Sequence, residues 1–172
     1  VDVVEEAGAD LTLTPIGSTN IVSRIRELRR EGASVPIAGE SNGGVFFPAY
    51  RIARDGAYTA ARFVALLAAS DEPASAVAAR YDDYANVRRD VAYDDEDDRA
   101  AMLDAIERAA RGADATLDTT DGYRLDYGDG WVLARPSGTE PVVRIYAEAG
   151  SRSRADDLAD VFHDAMHRRT GD

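Results

Sequence analysis

Two short stretches of the chain carry side chains suited to holding an anion and a polyol. The first, Arg135-Pro136-Ser137-Gly138-Thr139-Glu140-Pro141, sets a guanidinium, two hydroxyls and a glycine within seven residues. Arg135 can offer two parallel N–H donors to two phosphate oxygens, a fork that lysine does not possess. Ser137 and Thr139 add hydroxyl donors. Gly138 permits left-handed backbone, in which successive amides from Ser137 to Thr139 would converge on one anion. Pro136 and Pro141 restrict the unbound loop and so lower the entropy lost on binding. A plain turn between two strands fits the same residues without any ligand. The second stretch is the glycine-rich Gly39-Glu40-Ser41-Asn42-Gly43-Gly44. Glu40 can accept hydrogen bonds from two neighbouring hydroxyls, and Asn42 can both donate and accept. A solvated loop acid or a helix cap is the alternative reading of Glu40.

Three other groupings are compatible with chemistry but do not require it. His163 and His167 lie one helical turn apart, a spacing that could hold a metal, although the sequence offers no evident third ligand and a surface pair fits equally. The run Asp94-Asp95-Glu96-Asp97-Asp98 stands just ahead of a helix, where exposed amides favour carboxylates without a bound ion. Asp126 to Gly130 reads as a hairpin turn.

The elements that must position these residues follow from hydrophobic periodicity. A helix ends before Gly8; Leu11 to Thr14 alternates like a short strand; Pro15 to Thr19 turns; and Ile21, Ile25 and Leu28 mark a helix that stops at Gly32. A strand is expected at Val35 to Ala38, then the glycine-rich loop, a short apolar stretch at Val45 to Phe47, and a helix from about Asp55 to Ala69. This alternation is that of an α/β layer. Ser70-Asp71-Glu72-Pro73 changes the composition and is followed by a short helix to about Tyr81, which places the joint between two domains here. Beyond it come a strand near Val87 to Tyr93, a helix from about Asp97 to Arg111, strands at Ala115 to Leu117 and Tyr123 to Tyr127, and a glycine turn into Trp131 to Ala134. After the Arg135 loop, Val143, Ile145, Ala147 and Ala149 share one strand face, and Leu158, Val161, Phe162, Ala165 and Met166 one helix face. The expected organisation is a partial α/β domain over residues 1–72, a linker over 73–84 and an α+β domain over 85–172.

Bulk composition narrows the function classes. The 172 residues carry a formal charge of -12, and every one of the 20 basic residues is arginine. Such a surface repels nucleic acid. The carboxylate density suits a high-salt cytoplasm, where screening removes self-repulsion; arginine-biased coding of an ordinary acidic protein fits as well. There is no cysteine, which excludes disulfides and thiolate metal sites. No membrane span and no secretory leader is read from the sequence, so the expected compartment is the cytoplasm.

The Arg135 loop, continued by Val142-Val143-Arg144-Ile145-Tyr146-Ala147-Glu148-Ala149, closely resembles the phosphate-binding loop of the C-terminal domain of the α-D-phosphohexomutases, the family of phosphomannomutases, phosphoglucomutases and phosphoglucosamine mutases. Gly39 to Pro48 resembles that family's sugar-recognition loop, in the Asn-Gly-Gly variant typical of archaeal members, and Thr14-Pro15-Ile16-Gly17-Ser18 resembles a further substrate-facing loop. The resemblance implies a partial third domain, its opening strand missing, followed by a C-terminal domain with an antiparallel sheet and two helices, like the TATA-binding protein. It implies that Glu40, Ser41, Asn42, Gly17 and Ser18 contact the sugar, while Arg135, Ser137, Gly138 and Thr139 hold the phosphate that is not reacting. The commoner family pattern has Ser where Asn42 stands, His where Gly44 stands, and Asp or His where Ser18 stands. The partners implied are a hexose phosphate and the family's N-terminal domains. The catalytic serine and the magnesium-binding loop have no counterpart in this chain, so the magnesium ligands are expected outside it and the chain alone is expected to be inactive. A stand-alone, non-catalytic sugar-phosphate binding module is the competing expectation.

Overall fold

The computed structural model describes residues 2–40 and 43–168. The chain divides into two compact units, Val1–Val77 and Ala78–Asp172.

In the first unit, helix α1 (Asp2–Glu6) ends where Gly8 adopts φ 71°. The amides of Gly8 and Ala9 return to the Glu5 and Val4 carbonyls at 2.8 and 3.1 Å, which satisfies the helix's last acceptors. Helix α2 (Ser18–Arg30) ends in the same way, with Gly32 at φ 87° and the Ala33 amide on the Leu28 carbonyl. Three short strands, β1 (Ala38–Gly39), β2 (Val45–Phe47) and β3 (Arg51–Arg54), form an antiparallel sheet in chain order. Helix α3 (Gly56–Ser70) is capped by Asp55, whose carboxylate accepts the Tyr58 amide at 2.9 Å. The core is small: Ile21, Ile25 and Phe46, with Val22, Val35, Ala38 and Ile52 around them. Helix α3 buries none of its side chains, and Phe63, Val64 and Leu66 are exposed.

Two expected strands are corrected. Leu11 to Thr14 belongs to no sheet, and Leu11 and Leu13 are both exposed. Of Val35 to Ala38 only Ala38 pairs. Alternation favours extended backbone, but a strand exists only where a neighbour supplies hydrogen bonds, and neither segment has that neighbour among the described residues. Strand β3, with arginine at both ends and only Ile52 packed on the core, carried no apolar signal to find it by.

The second unit begins within helix α4 (Ala74–Ala79) and contains β4 (Ala85–Ala92), α5 (Glu96–Gly112), β5 (Thr116–Asp118), β6 (Tyr123–Asp126), β7 (Gly130–Pro136), β8 (Val142–Ala149) and α6 (Arg152–Arg168). The acidic run caps α5, since Asp95 accepts the Asp98 amide at 2.8 Å and Asp98 accepts the Asp94 amide at 3.2 Å. The strands form one antiparallel sheet in the order β4-β8-β7-β6-β5. Strict alternation decides its faces. Val87, Leu125, Val132, Ala134, Val143, Ile145, Ala147 and Ala149 point into a core shared with Met102 and Ile106 of α5 and Leu158, Phe162 and Met166 of α6. The opposite face carries Arg88, Asp90, Trp131, Leu133, Arg135, Arg144, Tyr146 and Glu148. Arginine stacking recurs on it: Arg88 and Arg135 approach the Tyr146 ring, and Arg124 lies 5.1 Å from the centre of Trp131. The β6–β7 hairpin turns through Gly128 at φ 83°, with the Gly128 amide on the Asp126 carboxylate at 3.0 Å. This is the hairpin expected from the sequence.

Candidate functional site

The Arg135 loop bridges β7 and β8. The ladder places Arg135 opposite Arg144 and Pro136 opposite Val143, and the Ser137 amide extends it by donating to the Val142 carbonyl at 2.9 Å. Within the loop the Ser137 hydroxyl accepts the Thr139 and Glu140 amides at 3.3 and 3.2 Å. The Tyr93 amide, just beyond β4, donates to the Pro141 carbonyl at 3.1 Å.

These bonds correct the expected backbone nest. Gly138 is not among the residues with positive φ, and the amides of Ser137 and Thr139 already have acceptors inside the protein. The physical reason is the Ser137 hydroxyl, which folds back as a local acceptor and closes the loop on itself. An anion seated here would be held by side chains, or would take the place of the Ser137 oxygen in front of the Thr139 and Glu140 amides. Gly138 has open space where a Cβ would stand.

Arg135 is buried, at 7% exposure. Its Nε lies 3.5 Å from the Asp121 carboxylate, and a terminal nitrogen donates to the Pro136 carbonyl at 3.3 Å. Gly122 fixes this placement from behind. It holds φ 90°, and a Cβ there would press on the Ala134 carbonyl oxygen and come within 2.7 Å of Arg135 Cβ. Gly122→Ala should therefore destabilise the second unit by about 1–3 kcal/mol through backbone strain and displace Arg135. Urea unfolding would measure the loss; an unchanged midpoint would show that the turn yields freely.

Arg144 and Tyr146 were not singled out by sequence reasoning, yet they stand beside Arg135. The Arg144 Nε is buried without a hydrogen-bond partner, 3.8 Å from Asp90, while its terminal nitrogen pairs with Glu140. Arg88 hydrogen-bonds Asp90 and holds its carboxyl below the usual carboxylate range. The signal was available: alternation along β8 sends Arg144 and Tyr146 to the face away from Val143 and Ile145. Like charges directly opposite on neighbouring strands are unfavourable, so the Arg135–Arg144 pair is tolerated because Asp121, Glu140 and Asp90 surround it.

In the first unit, Glu40 follows β1. Its side chain is only 5% exposed and its carboxylate accepts from Arg54 at 3.1 Å. The Glu40 amide donates to the Gly44 carbonyl at 2.9 Å, and Gly43 turns the chain at φ 89°. Gly44 leaves room for this pair, because a Cβ there would stand 3.3 Å from both the Glu40 carboxylate and Arg54 Cγ, and closer still to Arg54 Cδ. Ser41 and Asn42 lie outside the described residues. Gly17, at φ 117°, caps α2 through its carbonyl, and Ser18 opens that helix with no side-chain cap. The phosphate candidates thus share one loop of the second unit, while Glu40, Gly17 and Ser18 belong to the first.

With this geometry in place, comparison with known proteins identifies the chain's relatives. Residues 1–84 match the model of the phosphoglucomutase/phosphomannomutase alpha/beta/alpha domain III, and residues 84–165 that of the phosphoglucomutase/phosphomannomutase C-terminal domain. The chain belongs to the phosphoglucomutase/phosphomannomutase family. A probable phosphoglucosamine mutase of Methanopyrus kandleri is 38% identical over 97% of the chain, and a phosphoglucomutase/phosphomannomutase of Thermococcus kodakarensis is 35% identical over 89%. The matched regions cover 36% and 37% of those two proteins, so the chain spans about a third of their length. A crystal structure of a phosphoglucomutase/phosphomannomutase family protein from Burkholderia thailandensis superposes with a TM-score of 0.76 at 29% identity, covering 98% of this chain and 34% of that one. The partial third domain and the α+β C-terminal domain expected from the sequence are those of this family.

The family resemblance implies magnesium, so metal-type groups bear directly on the phosphoglucomutase/phosphomannomutase reading. Among the described residues, one cluster of such groups meets within 4.8 Å, Asp160, His163 and Asp164 on α6. It does not fit magnesium, which takes oxygen ligands in near-octahedral array and keeps several waters. An imidazole sits in this set, a nitrogen donor that magnesium disfavours. Among the described residues, no helix is long and apolar enough to cross a membrane.

Proposed function

We propose that this chain is the sugar- and phosphate-holding part of a phosphohexomutase, whose parent protein moves a phosphoryl group reversibly between the 1- and 6-positions of a hexose phosphate. The observation that carries this reading is the buried Arg135 at a strand–loop–strand junction, opposite Arg144 and followed by the half-buried Ser137 and the exposed Gly138 and Thr139. Arg135, Ser137, Gly138 and Thr139 grip the distal phosphate. Arg144 reinforces the positive field behind them. Glu40, Ser41 and Asn42 fix the sugar hydroxyls, and Gly17 and Ser18 approach the substrate from the start of α2.

Such a grip supplies positioning, which is most of what phosphoryl transfer asks of a protein. The nucleophilic serine and the magnesium ligands belong to other domains of the same protein, which are the main partner of this chain. The acidic, lysine-free composition suits a cytoplasm of high salt, where screening relieves self-repulsion.

The test compares this chain with the full-length parent. The chain should give no mutase turnover with a hexose 1-phosphate and its bisphosphate activator, and should bind hexose phosphates weakly by calorimetry. The parent should turn over. Turnover by the chain alone would overturn the division of labour, and an inactive parent would favour a binding module without catalysis.

A further inference from the structure

His163 of the mixed cluster on α6 also belongs to a histidine pair whose geometry suits a different metal. His163 and His167 stand one turn apart with their Nε2 atoms 3.1 Å apart and their rings at 72°. Two imidazole nitrogens on one divalent ion at about 2.0–2.1 Å are separated by about 2.9 Å at a right angle and about 3.4 Å at the tetrahedral angle. The observed spacing falls between these values. The other ring nitrogen of His163, Nδ1, lies 3.7 Å from the Asp164 carboxylate.

The supporting helix is rigid where it needs to be. Leu158, Phe162 and Met166 are almost completely buried in the core, so the opposite side of the same turns holds the two imidazoles in register before any ion arrives. The acids at 160 and 164 bring carboxylate oxygens to within 4.8 Å of a His163 ring nitrogen. Arg89 and Arg168 balance their charge while the site is empty. Two imidazoles with a carboxylate select borderline cations such as Zn2+, Ni2+ or Cu2+ over the hard Mg2+.

We infer that His163 and His167, with an aspartate of the same helix, form a binding site for a divalent transition-metal ion, separate from the phosphate loop. The test uses the full chain with Ni2+ alone in calorimetry and Cu2+ alone in electron paramagnetic resonance, in buffers free of competing ligands. The intact chain should bind one Ni2+, and the Cu2+ spectrum should show coupling to two imidazole nitrogens. His167→Gln and His163→Gln should each weaken Ni2+ binding on the order of tenfold or more and reduce the coupling to one nitrogen. Glutamine is a good helix former, and the melting curve of each variant reports whether α6 is intact. Unchanged Ni2+ affinity in both variants, or a Cu2+ spectrum without paired imidazoles, would overturn the site. An excess of Mg2+ that displaces Ni2+ would also overturn it.

Discussion

Replacing Arg135 by Ala in the full-length parent should lower kcat/KM on the order of 100-fold or more. A hydrogen bond to a charged group is worth about 1.5–3 kcal/mol, and the fork of a buried guanidinium makes two at once. Steady-state kinetics with a hexose 1-phosphate would measure the loss, with a raised KM as its main component, because the distal phosphate is bound alike in the ground and transition states. Arg135→Lys keeps the charge but not the fork and should fall between the two. Arg135 also neighbours Asp121 and Tyr146, so a melting curve of each variant separates a folding defect from a binding one. Kinetics that match the unaltered enzyme, in a folded Arg135→Ala protein, would remove its assigned role.

The largest loss of stability is expected from Phe162→Ala. The Phe162 side chain is fully buried in the cluster that joins α5, α6 and the inner face of the five-stranded sheet. Truncating a buried phenylalanine costs about 3–5 kcal/mol, the sum of lost transfer energy and the cavity left behind. Typical domains have only about 5–15 kcal/mol in total, so a large share of the unit's stability rests on this ring. Urea unfolding followed by tryptophan fluorescence would report it, since Trp131 is the only tryptophan and lies in the same unit. A cost below about 1 kcal/mol would mean that the core closes around the gap, as loosely packed interiors can.

The two halves of the chain differed in how far sequence alone could reach. In the second unit the inner-face residues of β8, the buried stripe of α6 and the Gly128 turn could all be read directly, because each buried face repeats with its own period and each turn has a residue that fixes it. In the first unit Leu11, Leu13 and Ile37 are apolar and alternate as strand residues do, yet all three are exposed. Periodicity reports which face a segment would bury, not whether a neighbour is present to bury it.

The site was legible in residue types and less so in conformation. Arg135, Ser137 and Thr139 are candidates because of what their side chains can donate, whereas the inward fold of the Ser137 hydroxyl is a choice among local hydrogen bonds that composition does not reveal. Arg144 escaped attention because a lone arginine in a strand looks like surface. Only the pairing register, which sets it opposite Arg135, makes it a candidate. Asp160 and Asp164 looked like ordinary helix surface until the turns of α6 placed them beside His163.

The absence of a side chain at Gly44 bears on how this lineage can vary. Arg54 lies across the space a Cβ would take and reaches Glu40 from there. A relative with histidine at the equivalent position could not keep its arginine in that path, so the two positions are expected to drift as a pair and not singly. The ion pair that steadies Glu40 here thus depends on bare backbone at Gly44, and any side chain placed there would have to move Arg54 aside.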